Sequence, residues 1–215
     1  MQEKKKYTHV IWDFNGTILD DVDLCIDCVN RMLRDRAMPS IPDRAYYRGI
    51  MGFPIEDYYR ALGFNFEKED YHRVLAPEWV GYYLAGEGSC GLMPGVAHTL
   101  EAVRAKGIPQ LVLSASRLEQ LQAQLDRLGV DGYFDQVLGL DNIYASSKTG
   151  LAEAWRRAHP DAVPLFIGDT DHDALAADAM GADCVLYTGG HQSTERLAAC
   201  GKPMVSAISD VLRWL

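Results

Sequence analysis

Apolar positions along the chain follow two alternating patterns. Short continuous runs rich in β-branched and aromatic residues, bounded by turn formers, predict buried strands over 8–14 (THVIWDF), 109–114 (PQLVLS), 134–139 (FDQVLG), 163–168 (VPLFIG) and 183–187 (DCVLY), with a sixth over 204–207. Stripes at helical spacing cover 96–106, 118–128, 149–158, 173–180 and 193–199, and Gly107, Gly129, Pro160, Gly181 and Gly201 stand just beyond them as stop signals. Strands alternating with helices of this length predict an α/β fold, a Rossmann-like, doubly wound parallel sheet.

One stretch breaks the alternation. Between Asp21 and Ser89 no strand pattern occurs, helical stripes cover 22–33, 55–62 and 71–84, and the whole stretch holds seven tyrosines. The pattern predicts a helical insertion after the first strand, returning through Gly86, Gly88 and Gly91. The division expected is 1–20 with 90–215 as the core and 21–89 as the inserted helical unit.

Composition narrows the function. With 215 residues, 48% of them hydrophobic, the chain is long enough for a full core without disulfides. A net charge of −9 argues against a nucleic-acid binder, and Lys4-Lys5-Lys6 reads as a solvated arm. No apolar run approaches the roughly 18 residues of a membrane span, and no secretory signal pattern opens the chain. Five cysteines at irregular spacing fit reduced thiols in a cytoplasmic protein. Cys25 and Cys28 lie on a helical stripe and read as core packing rather than a redox or metal pair.

In open α/β sheets ligands bind beyond the carboxyl ends of the strands. There the sequence offers Asp13 followed by Asn15, Gly16 and Thr17; Ser114; Lys148, just before a helix; and Gly168-Asp169-Thr170-Asp171-His172-Asp173. Any one of these reads equally well as a helix cap. Together they suit phosphoryl transfer. A carboxylate can attack phosphorus, a divalent cation held by carboxylates offsets the repulsion, and an ammonium and hydroxyls hold the transferred group.

These residues resemble the ordered motifs of the haloacid dehalogenase-like hydrolase superfamily. Residues 10–20 (VIWDFNGTILD) are similar to its first motif, hhhDxDGTxxD; Ser114 matches the second, Lys148 the third, and Gly168-Asp169-Thr170 with Asp173 the fourth, GDxxxD. Leu92-Met93-Pro94-Gly95-Val96 is similar to the phrase that re-enters the core after a cap. Gly189-Gly190-His191-Gln192-Ser193 is similar to one in phosphoglycolate phosphatase-like members. The resemblance implies a Mg²⁺-dependent phosphatase acting on a small phosphorylated metabolite, as a monomer or dimer without nucleic acid or membrane. By the same resemblance, Asp13 is the nucleophile and a metal ligand, and Asn15 gives the metal a backbone carbonyl. Asp169 is a further ligand, Asp173 supports the metal, Ser114 and Lys148 hold the phosphoryl group, and Thr17 contacts substrate. Residues 21–89 become a helical cap over the catalytic core. Residues 48–54 resemble the family's specificity loop, with Arg48 expected to bind a second anionic group on the substrate or simply to lie on the surface. Lys68, flanked by carboxylates, is a poor Schiff-base lysine. His172 and His191 fall near the crevice without an assigned catalytic role.

The departure is Asn15. Family phosphatases carry Asp there, which protonates the leaving alkoxide and then activates water. An amide does neither, and acid–base help is worth about 10²–10⁴-fold. Three readings follow: a phosphatase whose proton comes from elsewhere or is not needed, an attenuated phosphate-binding regulator, or an amide introduced to trap a complex.

Overall fold

The computed structural model describes residues 7–141 and 148–215; the Lys4–Lys6 run lies outside them. Six parallel strands form one sheet in the order β3-β2-β1-β4-β5-β6. They are β1 His9–Trp12, β2 Gln110–Arg117, β3 Gln136–Leu140, β4 Pro164–Gly168, β5 Asp183–Tyr187 and β6 Met204–Val205. Alternation along the central strand explains its two-sided burial. Val10 and Trp12 enter one apolar cluster, with α5 (Val96–Ala105) and α6 (Leu118–Leu128). Ile11 enters another, with α7 (Thr149–Ala158) and α8 (Asp171–Met180). The indole of buried Trp12 donates to Gln110 Oε1 at 3.0 Å, and Gln110 Nε2 donates to the Leu100 carbonyl at 3.0 Å, so these two buried side chains are matched.

Between β1 and α5 the described elements are helical: α1 Val22–Asp35, α2 Arg44–Ile50, α3 Ile55–Ala61, a π-helical turn Tyr71–Leu75 and α4 Ala76–Gly86. α1 buries its Val22, Cys25, Ile26, Val29, Met32 and Leu33 face, and Cys28 packs there as a free thiol. At its end Arg36 bonds both Glu69 and Glu78, tying α1 to the segment before α4 and to α4 itself. The chain leaves and re-enters the sheet along two adjacent strands of backbone, with Asp20 N bonded to Gly91 O at 2.9 Å and Met93 N to Ile18 O at 2.8 Å.

Three differences from the sequence expectation bear on the site. α2 was not foreseen: Asp43 caps it by accepting from Tyr46 N at 2.8 Å, and only Tyr47 of its seven residues is buried, too few to make a stripe. Arg48 therefore lies on a helix, not a loop. β2 runs past Ser114 to Arg117, through a register shift after Leu113. α8 begins at Asp171, two residues before the predicted start.

Candidate active site

Adjacent central strands deliver the first two carboxylates. Asp13 follows β1, where its backbone N–H is held by the Ile167 carbonyl at 2.8 Å, and Asp169 follows β4. The first turn of α8 supplies Asp173, the residue before α7 supplies Lys148, and β2 supplies Ser114. All five are buried. The Lys148 ammonium contacts Asp13 Oδ1 and Asp173 Oδ1 together. Asp13, Asp169 and Asp173 bring carboxylate oxygens within 4.8 Å of one another.

Each carboxylate is oriented by local hydrogen bonds. Asp173 Oδ2 accepts from the backbone N–H groups of Asp169 (3.0 Å) and Thr170 (2.8 Å) and from Thr170 Oγ1 (2.6 Å), while Thr170 Oγ1 accepts from Asp173 N at 3.2 Å. This is a capping box, so Asp173 starts α8 and faces Lys148 at once. Asp169 Oδ1 accepts from Thr17 Oγ1 at 2.8 Å and its Oδ2 from His191 N at 2.6 Å. Gly16, at φ +74°, and Gly190 lie so close to Asp169 that a Cβ on either would collide with its carboxylate.

Charge is unevenly compensated. Burial disfavours an ionised Asp173, but Lys148 and Thr170 outweigh it and hold its carboxyl below the ordinary range. Burial and the neighbouring Asp173 push Asp13 well up, against the pull of Lys148. Burial raises Asp169 as well. Burial opposes the charge on Lys148, but the two aspartates hold its pKa above normal. Lys148 thus faces two of three clustered buried carboxylates, and the third, Asp169, sits beside His191. Oxygen donors with excess negative charge are the donor set that fits a hard divalent cation.

A second buried network adjoins this one. Asn15 Nδ2 donates to Asp21 Oδ2 (2.7 Å) and to the Tyr83 hydroxyl (3.0 Å), and Asn15 Oδ1 accepts from Ser116 Oγ (2.8 Å). Asp21 also accepts from Tyr83 OH at 2.9 Å and faces His191 Nε2 at 3.1 Å, whose Nδ1 meets Tyr47 OH at 2.9 Å. Burial opposes the imidazolium, but Asp21 outweighs it and lifts His191 to about 9; the charged His191 in turn keeps Asp21 low despite burial. His172 is pushed down to about 4, by burial first and then by Lys148, and stacks on Phe53 at 4.4 Å.

A cavity of about 180 Å³ opens on these groups. Asp13, Asn15, Ser114 and Lys148 line it, whereas two other predicted contacts do not. Thr17 is fully buried, with its hydroxyl on Asp169. Arg48 donates to the Gly189 carbonyl, pinning α2 to the chain after β5. Tyr47, Tyr58, Trp79, Tyr83, Ser116 and Arg117 also line the cavity. Asp21, Tyr83 and Ser116 carried no motif signal, and their partners lie 6 to 170 residues away.

Comparison with known proteins gives a consistent family. The sequence profile described as haloacid dehalogenase-like hydrolase matches residues 10–187. Among curated sequences, one named Probable phosphatase IndB from Dickeya dadantii is 29% identical, covering 94% of this chain and 91% of that protein. A phosphoglycolate phosphatase from Escherichia coli K12 is 29% identical over 84% of this chain and 72% of its own. Among solved structures, a haloacid dehalogenase-like family hydrolase from Streptococcus pneumoniae superposes with a TM-score of 0.82 at 21% identity, covering 97% of this chain and 98% of that one.

Proposed function

Because this chain belongs to the haloacid dehalogenase-like hydrolases, we propose that it is a Mg²⁺-dependent phosphatase working through an aspartyl-phosphate on Asp13. The observation that carries this reading is the buried Lys148 ammonium between Asp13 and Asp173, with Asp169 beside them. The names of its phosphatase relatives support the reaction class. We take residues 21–89 as the cap and 1–20 with 90–215 as the catalytic core, in line with the paired backbone crossings at 18–20 and 91–93.

Asp13, Asp169 and Asp173, with the Asn15 carbonyl, would hold the cation. When bound, Mg²⁺ neutralises phosphoryl charge and favours the ionised form of Asp13. The chain's own groups do the rest. One Asp13 oxygen attacks phosphorus, the bond from phosphorus to the ester oxygen breaks, and the electron pair leaves on that oxygen. Lys148 and the Ser114 hydroxyl hold the equatorial oxygens as charge redistributes. Water then attacks phosphorus, Asp13 is released as a carboxylate, and a proton from the water ends on the departing phosphate.

Acid quenching during turnover of p-nitrophenyl phosphate with Mg²⁺, followed by peptide mass analysis, should find a phosphoryl group on the peptide holding Asp13. Asp13→Asn should abolish both label and turnover. The amide at position 15 keeps a second reading open, a phosphate-binding regulator. Phosphate binding with no label and no turnover of any activated ester would select it.

A further inference from the structure

The sheet's strand ends contribute polar groups to this cavity, Asp13, Ser114 and Lys148 among them, and the helical segment contributes a mostly apolar wall. Met51, Phe53, Ile55, Tyr59, Trp79 and Val80 of that segment all line it. Cavities of roughly 150 Å³ with apolar walls hold a benzene ring, and this one measures about 180 Å³. Aromatic walls favour flat, apolar ligands through offset and edge-to-face contacts.

Cationic groups on this cavity are already engaged. Lys148 is held by Asp13 and Asp173, Arg117 pairs with Glu119 at 2.6 Å, and His191 is bound by Asp21 and Tyr47. Arg48 lies on the Gly189 carbonyl, outside the lining. Among the described residues that line the cavity, no cation stands unpaired for a second anionic group such as the carboxylate of phosphoglycolate.

One wall residue has an unmet polar atom. Tyr58 is 5% exposed, and its buried hydroxyl has no hydrogen-bond partner among the described residues. An unpaired buried hydroxyl is costly, and a bound molecule with a polar atom at that point would relieve the cost.

Asn15 bears on the same choice. Its amide protons are committed to Asp21 and Tyr83, so position 15 offers the leaving oxygen no acid. An alkyl alkoxide leaves as a base close to hydroxide and needs a proton, whereas a phenolate, whose conjugate acid has a pKa of about 10, leaves without one.

Resting on the phosphatase reading above, we propose that the substrate is an aryl phosphate: a monoester of a phenolic hydroxyl whose ring packs against the aromatic wall of the cavity and whose polar substituent, remote from the phosphate, bonds Tyr58. In the first step the Asp13 oxygen-to-phosphorus bond forms and the aryl oxygen-to-phosphorus bond breaks. The phenolate leaves and takes its proton from water.

The test uses the whole chain with Mg²⁺ and four substrates: phenyl, 4-acetylphenyl and benzyl phosphate, and 2-phosphoglycolate. Benzyl phosphate has the ring but an alkoxide leaving group; 2-phosphoglycolate has neither ring nor good leaving group. Expected are dissociation constants for phenyl and benzyl phosphate that are similar and at least tenfold below that for 2-phosphoglycolate, and a kcat/KM for phenyl phosphate at least a hundredfold above that for benzyl. Tyr58→Phe should lower the 4-acetylphenyl to phenyl ratio of kcat/KM at least threefold, the comparison cancelling the difference in leaving-group basicity.

A kcat/KM for 2-phosphoglycolate equal to that for phenyl phosphate overturns the substrate class. So do equal kcat/KM values for benzyl and phenyl phosphate. An unchanged ratio in Tyr58→Phe overturns the Tyr58 contact. Any of these can occur while Asp13 is still labelled, so they are separable from failure of the phosphatase reading, which would show as no label and no turnover of all four.

Discussion

At position 15 an amide makes three hydrogen bonds, two of which a carboxylate could not make. Two of them donate, one to Asp21 and one to Tyr83, and the third accepts from Ser116. A carboxylate there would set two acids face to face, whereas the amide lets Asp21 remain ionised and pair with His191. That pair is buried on both sides, so breaking it leaves an uncompensated charge, typically at a cost of about 3–5 kcal/mol. Its pH signature has a definite sign. His191 is raised from 6.5 to about 9, so its contribution is complete below pH 6.5 and fades as pH rises through 9. Asp21 is lowered, so its share is complete above its ordinary value and lost only as pH falls through the depressed one. Urea unfolding in EDTA between pH 6 and 9.5 should therefore show a loss of up to about 3 kcal/mol. His191→Gln should be less stable at pH 6 and show a shallower slope across the window, keeping only the part that Asp13 and Asp169 contribute. A variant that keeps the full slope would show that the pair is not its source.

Among the elements, α8 joins folding to the site most directly, because its capping box uses the carboxylate that faces Lys148. Thr170→Val keeps the shape and the β-branch but removes the hydroxyl that both donates to Asp173 Oδ2 and accepts from Asp173 N. It should cost about 1 kcal/mol in urea unfolding and weaken Mg²⁺ binding roughly 10-fold or more by calorimetric titration, since groups that orient a ligand commonly contribute that much. A stability loss with unchanged Mg²⁺ affinity would reduce Thr170 to a cap alone. The same element shows what the sequence could reveal. The run 163–168 was readable because burial there is nearly continuous, whereas the sequence pattern starts α8 two residues late, its Thr170 cap falling inside the motif run 168–173. α2 was not readable, since a helix burying only Tyr47 leaves no period. The end of β2 was not, since Ala115, Ser116 and Arg117 face the cavity rather than the core, past a register shift. The strand-end acids were legible as positions. The network joining Asn15, Asp21, Tyr83 and His191 was not, because tertiary packing alone brings residues up to 170 apart into contact.

Over the whole molecule, 30 acidic residues face 21 basic ones, and acids are crowded most where Asp13, Asp169 and Asp173 cluster and Lys148 pairs with two of them. Raised carboxyls at Asp13 and Asp169 mean that the folded chain holds protons there which the unfolded chain releases. Without a cation, these two groups make stability fall as pH rises from about 4 through their raised values. A divalent cation replaces those protons and reverses the trend. At a hundred times its Kd, a ligand bound only by the folded state adds about 2.7 kcal/mol, which for a chain of this size is roughly 5–10 °C in Tm. Thermal unfolding with saturating Mg²⁺ against EDTA should show a shift of that order at pH 8 and a smaller one at pH 5, where protons compete for the same oxygens. Asp169→Asn should remove most of the shift at pH 8. If that variant retains it in full, the cation sits elsewhere on the acidic surface, and the strand-end cluster must be balanced by substrate or by protons alone.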